Sequence, residues 1–133
     1  MPPRPIRILV VDDEPSVLLT YRLLLEKKGY AVTAAISARE AMAALERDTF
    51  DLMLCDLSLE EQSNGFDVIE FGKQRHPQLS CVLITGYATV EASDRAEQMG
   101  ISMLFKPIDM DDFFSLIATL LGESNGQAKA SGG

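Results

Sequence analysis

Five short apolar runs, each followed by a stretch of helical period, constrain this chain more than any other feature. The runs are Ile6–Val11, Ala31–Ile36, Phe50–Cys55, Cys81–Thr85 and Ser102–Phe105. The first and fourth are rich in β-branched side chains. Continuous apolar runs of this length suit strands buried on both faces, as in a parallel sheet. The stretches between them read as helices. In the first, Val17, Leu18, Tyr21, Leu24 and Leu25 form one apolar stripe. Pro15 suits its first turn and Gly29 its stop. Ser37 through Glu40 has the capping-box pattern that opens a second helix. A third helix is expected from about Phe66 to Arg75, ending before Pro77. A fourth is expected from about Thr89 to Met99, stopping at Gly100, and a fifth begins near Asp109.

Five βα units in succession imply an α/β fold with helices on both faces of a parallel sheet. Right-handed crossovers are nearly obligatory. The expected architecture is the doubly wound, flavodoxin-like (βα)5 fold, a five-stranded sheet in the order 2-1-3-4-5. One domain over residues 1–121 accounts for the whole pattern. Residues 122–133, GESNGQAKASGG, are small and polar and read as a disordered tail or linker.

Net charge is −8. Nucleic-acid binding needs clustered Lys and Arg to neutralise phosphates, and the sequence has no basic stripe, so this domain is not expected to bind nucleic acid directly. No apolar run approaches the ~20 residues that span a bilayer, and a cytoplasmic location without membrane association is expected. Cys55 and Cys81 fall inside apolar runs. With Asp56 and Thr85 taken as level on neighbouring strands, the thiols are about four residues apart, roughly 13 Å. That is too far for a disulfide, so two buried free thiols are expected.

In open α/β sheets, sites form at the carboxyl ends of the strands. Strand 1 ends in Asp12-Asp13-Glu14, strand 3 in Asp56, strand 4 in Thr85-Gly86 and strand 5 in Lys106-Pro107. Each group alone has an ordinary reading as turn former, helix cap or solvated lysine. Together they put three carboxylates on one rim, where they would repel strongly at close range. A hard divalent cation relieves that repulsion, and Mg2+ takes few carboxylates while keeping positions for other oxygens. A lysine ammonium and a threonine hydroxyl complete a cradle for a tetrahedral phosphoryl group. Asp56 is the candidate nucleophile, since a carboxylate can attack phosphorus to give an acyl phosphate.

The motifs VVDDE, LCDLSL, ITGYA and LFKPID, at their mutual spacing, resemble the receiver domain of bacterial response regulators, including free-standing chemotaxis regulators. The resemblance covers Arg7 to about Leu121. It implies that Asp56 is the phospho-acceptor and that Mg2+ is held by Asp13, Asp56 and the Ser58 backbone carbonyl. Asp12 would help through a metal-bound water. It further implies that Thr85 and Lys106 follow the phosphoryl charge and that the Lys106–Pro107 bond is cis. The implied partners are a sensor histidine kinase or phosphotransfer protein and a downstream output protein or fused output domain. A phosphorylation-dependent dimer is a further implied partner. The output surface would be helix 4, strand 5 and helix 5. Such a domain is a signalling switch, not an enzyme with a separate substrate.

The sequence departs from the family pattern in two places. After the acceptor, Glu60 replaces the usual proline, and Gly65 comes one residue later than the family's glycine. Met103 stands where the family often has the Tyr or Phe of its switch, which places the usual threonine-to-aromatic coupling in question; Tyr87 or Phe105 would be the substitute. A phosphatase of the haloacid dehalogenase type would need a second acid where Ser58 stands. A phosphorylation-independent module of the same fold is the remaining alternative. His76, the single histidine, reads as a solvated helix-end residue.

Overall fold

The computed structural model describes residues 4–59, 64–87 and 89–122. Glu60, Glu61 and the tail beyond Gly122 lie outside the described residues. Strands β1 (Arg7–Val11), β2 (Ala31–Ala35), β3 (Leu52–Asp56), β4 (Ser80–Thr85) and β5 (Ser102–Phe105) alternate with helices α1 (Pro15–Lys27), α2 (Ala38–Arg47), α3 (Gly65–Arg75), α4 (Val90–Met99) and α5 (Met110–Leu120). The strands form one parallel sheet in the order β2-β1-β3-β4-β5, as the alternation predicts.

Strand position explains strand composition. Every residue of the central strand β3 is buried, so it has no polar alternation. Leu9, Val11, Met53, Cys55, Cys81 and Leu83 face one core, which α2, α3 and α4 cover. Ile8, Val10, Leu52, Leu54, Val82 and Ile84 face the other, covered by α1 and α5. There Tyr21 and Phe113 stack at 5.5 Å between ring centroids. Among the described residues, no helix is long and apolar enough to cross a membrane.

The helix ends follow local chemistry. Ser37 accepts from the Glu40 amide, while Glu40 Oε1 accepts from Ile36 N–H at 2.9 Å, one residue before the cap. Asn64 and Asp67 form a full capping box on α3, which the sequence reading did not anticipate. Thr89 and Asp109 cap α4 and α5. His76 is more than a solvated end: its Nε2 lies 2.8 Å from Leu45 O and ties α3 to α2.

One register expectation is corrected. Asp56 pairs with Ile84, not Thr85, and Cys81 pairs with Met53. Cys55 and Cys81 are therefore two residues out of step, against three with Asp56 level with Thr85 and the roughly four expected. Both are buried and free.

Candidate functional site

The register delivers the acids to one place. Val11 is level with Cys55, so the next residues, Asp12 and Asp56, emerge side by side where β1 and β3 end. The Asp12 amide donates to Ala35 O at 3.1 Å, and the Leu57 amide to Ile84 O at 2.8 Å, which fixes both strand ends. Thr85 pairs with Phe105, and the Lys106 amide donates to Thr85 O at 2.8 Å. That bond delivers Lys106 to the same rim. The Lys106–Pro107 peptide is cis, as expected.

Asp12, Asp13 and Asp56 each place a carboxylate oxygen within 4.8 Å of the other two. Asp12 is 1% exposed and Asp56 6%. Lys106 Nζ lies 3.5 Å from Asp56 Oδ2 and 3.7 Å from Asp12 Oδ2. Burial holds the carboxyl of Asp56 above its ordinary value, and the neighbouring Asp12 charge adds to this. Lys106 and the Ser58 amide act in the opposite direction. Asp12 is also raised, first by burial, against the Glu14 amide that its Oδ1 accepts at 2.9 Å. Tyr21, buried on α1, feels the same charges: burial, then the charges of Asp12 and Asp56, push its phenol up to about 12.

Asp12 Oδ2 is fully buried and accepts no hydrogen bond among the described residues. The Lys106 ammonium at 3.7 Å only partly offsets the cost of burying a carboxylate oxygen in that condition, and a closer cation would relieve it further. An all-oxygen, mostly anionic donor set suits a hard divalent ion such as Mg2+ or Ca2+.

Thr85 is 2% exposed. Its hydroxyl donates to Tyr87 O at 2.9 Å and accepts from Tyr87 N–H at 3.1 Å. Met103 packs partly buried on the α2–α3–α4 side, with Leu104 on the other face, as strand alternation requires. Neither nearby ring takes a buried place: Tyr87 is 81% exposed and Phe105 54%.

The family model of the response regulator receiver domain matches residues 8–118. The chain belongs to the response regulator receiver family. Over 106 residues the receiver is 42% identical to the alginate biosynthesis transcriptional regulatory protein AlgB of Pseudomonas aeruginosa, covering 79% of this chain and 23% of that protein. It thus spans about a quarter of the length of the curated relatives it matches. A CheY-like receiver domain protein from Methanospirillum hungatei superposes with a TM-score of 0.85 at 31% identity, over 90% of this chain and 95% of that one. A response regulator from Burkholderia pseudomallei, solved with a phosphorylated aspartic acid, calcium ion and citrate, gives a TM-score of 0.77 at 28% identity, over 86% and 66% of the two chains.

One residue at the site carries no functional mark in the sequence. Gly65 reads there only as a loop marker. A Cβ there would lie 2.5 Å from Asp56 O and 2.9 Å from Leu83 Cδ1. Only glycine lets α3 start this close to the acceptor's backbone.

Proposed function

We propose that Asp56 accepts a phosphoryl group from the phosphohistidine of a sensor histidine kinase or phosphotransfer protein. The observation that carries this reading is the placement of Asp56 beside Lys106 at 3.5 Å, with Asp12 and Asp13 on the same rim. An Asp56 carboxylate oxygen attacks phosphorus; the P–O bond forms as the P–N bond breaks, and the imidazole leaves with a proton. Lys106 holds positive charge against the transferring oxygens. Thr85 exchanges its bond to Tyr87 O for one to the phosphoryl group.

Asp13, Asp56 and the Ser58 carbonyl would hold Mg2+, with Asp12 assisting. The ion would supply charge neutralisation between acceptor and phosphoryl group. The Asp12 oxygen that accepts no hydrogen bond among the described residues and the three convergent carboxylates support that assignment, as does the phosphorylated, calcium-bearing Burkholderia relative.

The acyl phosphate then biases a two-state equilibrium read at α4, β5 and α5 by an output protein, a fused output domain or a second receiver. The domain spans residues 1–121, with 122–133 as tail or linker. It works in the cytoplasm as a switch that catalyses only its own phosphorylation and dephosphorylation. Incubation with Mg2+ and acetyl phosphate tests the reading by mass spectrometry. One added phosphoryl group is expected in the wild type and none in Asp56→Asn; labelling that survives that substitution contradicts it.

A further inference from the structure

Arg95 joins α4 to α3 in two ways at once. Its guanidinium carbon lies 4.6 Å from the centroid of the Phe66 ring, and its Nη2 lies 3.6 Å from Glu70 Oε2. Both partners are on α3. A planar guanidinium can stack on a ring and pair with a carboxylate together; a lysine ammonium is a poor substitute for the first.

Little else among the described residues anchors α4. Its buried side chains are Ala92 and Ala96, with Met99 packed at its end. By contrast α1 buries Leu18, Tyr21 and Leu25, and α3 buries Phe66, Val68 and Ile69. Local opening is easiest where few apolar contacts are buried. A single external tie therefore matters more to α4 than to α1 or α3.

The far end of the tie rests on the acceptor. Phe66 follows Gly65, whose amide donates to Leu57 O at 2.9 Å. A Cβ at Gly65 would overlap Asp56 O and touch Leu57 Cα at 3.0 Å. The first turn of α3 thus sits directly on the backbone of Asp56 and Leu57. Asp56, Gly65, Phe66 and Arg95 make a continuous physical route to α4 that bypasses Thr85 and β5. That matters in a chain whose β5 carries Met103 and whose nearby rings are exposed.

We propose that Arg95 is a latch holding α4 against α3 in the unphosphorylated receiver, released by added charge on Asp56 through the first turn of α3. The coupling rests on the reading of Asp56 as acceptor; the latch does not. Linkage makes the coupling reciprocal: if charge on Asp56 loosens the latch, loosening the latch must tighten binding of a phosphoryl mimic at Asp56. The gain cannot exceed what the latch itself is worth.

Two measurements on Arg95→Ala test this. The first is amide hydrogen exchange across residues 90–99 without phosphodonor. Loss of a stack and a half-exposed ion pair is expected to speed exchange there by about 3- to 30-fold. Exchange in α1 and α5 should not change, and Arg95→Lys should show a smaller increase. The second is the affinity for beryllofluoride with Mg2+, which should rise by no more than the same factor. Unchanged exchange in α4 overturns the latch. Faster exchange with unchanged beryllofluoride affinity overturns the coupling. Beryllofluoride binding that survives Asp56→Asn overturns the acceptor reading and the coupling with it, while the exchange result still decides the latch.

Discussion

Lys106 and Asp56 form an ion pair at 3.5 Å in which the carboxylate is nearly buried and the ammonium is partly in solvent. The same ammonium sits 3.7 Å from Asp12, so one lysine partly neutralises two acids. It also competes with any divalent ion for them. Lys106→Met is therefore expected to bind Mg2+ about 3- to 10-fold more tightly, an effect of order 1 kcal/mol from the removed charge. Its phosphorylation by acetyl phosphate should nevertheless be slower. Titration calorimetry with Mg2+, paired with labelling rates, checks both; weaker Mg2+ binding would contradict the competition.

Burial raises both Asp12 and Asp56 above the ordinary carboxylate value of 3.8. A group that holds its proton more tightly folded than unfolded stabilises the fold below its unfolded pKa. That stabilisation is lost as pH rises through the raised value. Without divalent ions the receiver should thus gain stability as pH falls from neutrality through the raised values toward 3.8. Asp12→Asn removes a buried charge whose carboxyl is raised on balance, and its repulsion of Asp56, and should stabilise the protein at pH 7, with weaker Mg2+ binding. Thermal melts across pH in chelator test this; a lower Tm for Asp12→Asn would count against it.

Gly65 and Gly86 make a contrasting pair. A methyl group at Gly65 meets Asp56 O at 2.5 Å, whereas one at Gly86 meets only Lys106 Cβ at 3.8 Å. Gly65→Ala should cost about 2 kcal/mol or more through forced backbone movement and slow phosphorylation. Gly86→Ala should stay within about 0.5 kcal/mol of the wild type. Urea unfolding of the two variants gives the comparison.

Thr85→Val keeps the side-chain shape and deletes both hydrogen bonds to Tyr87. It should cost about 1 kcal/mol and speed exchange of the Tyr87 amide. Phosphorylation of Asp56 should persist, because the hydroxyl is bonded to Tyr87 beforehand and exchanges that bond only once the phosphoryl group is in place. Loss of labelling in this variant would give Thr85 a direct part in the transfer.

The fold was legible because parallel strands buried on both faces leave a simple mark, an unbroken apolar run with polar chemistry at its carboxyl end. The same mark exposed Asp12, Asp13, Asp56, Thr85 and Lys106, and the structure brings Asp12, Asp13, Asp56 and Lys106 together. Register was not legible. The offset that pairs Asp56 with Ile84 is set by strand packing, to which the apolar interiors of the two strands give no local clue. The close approach of Gly65, the charge of Asp12 and Asp56 felt at Tyr21 and the reach of Arg95 to Phe66 all depend on tertiary placement. In the sequence they are an ordinary glycine, an ordinary apolar position and an ordinary surface arginine.

The central claim is that a divalent ion and an ammonium group make one acid of this rim phosphorylatable. The most direct measurement is peptide mapping by tandem mass spectrometry after acetyl phosphate treatment, once with Mg2+ and once with the ion chelated. The account predicts a single label on Asp56 that is lost on chelation. A label on another residue, or one of equal yield without the ion, would contradict it.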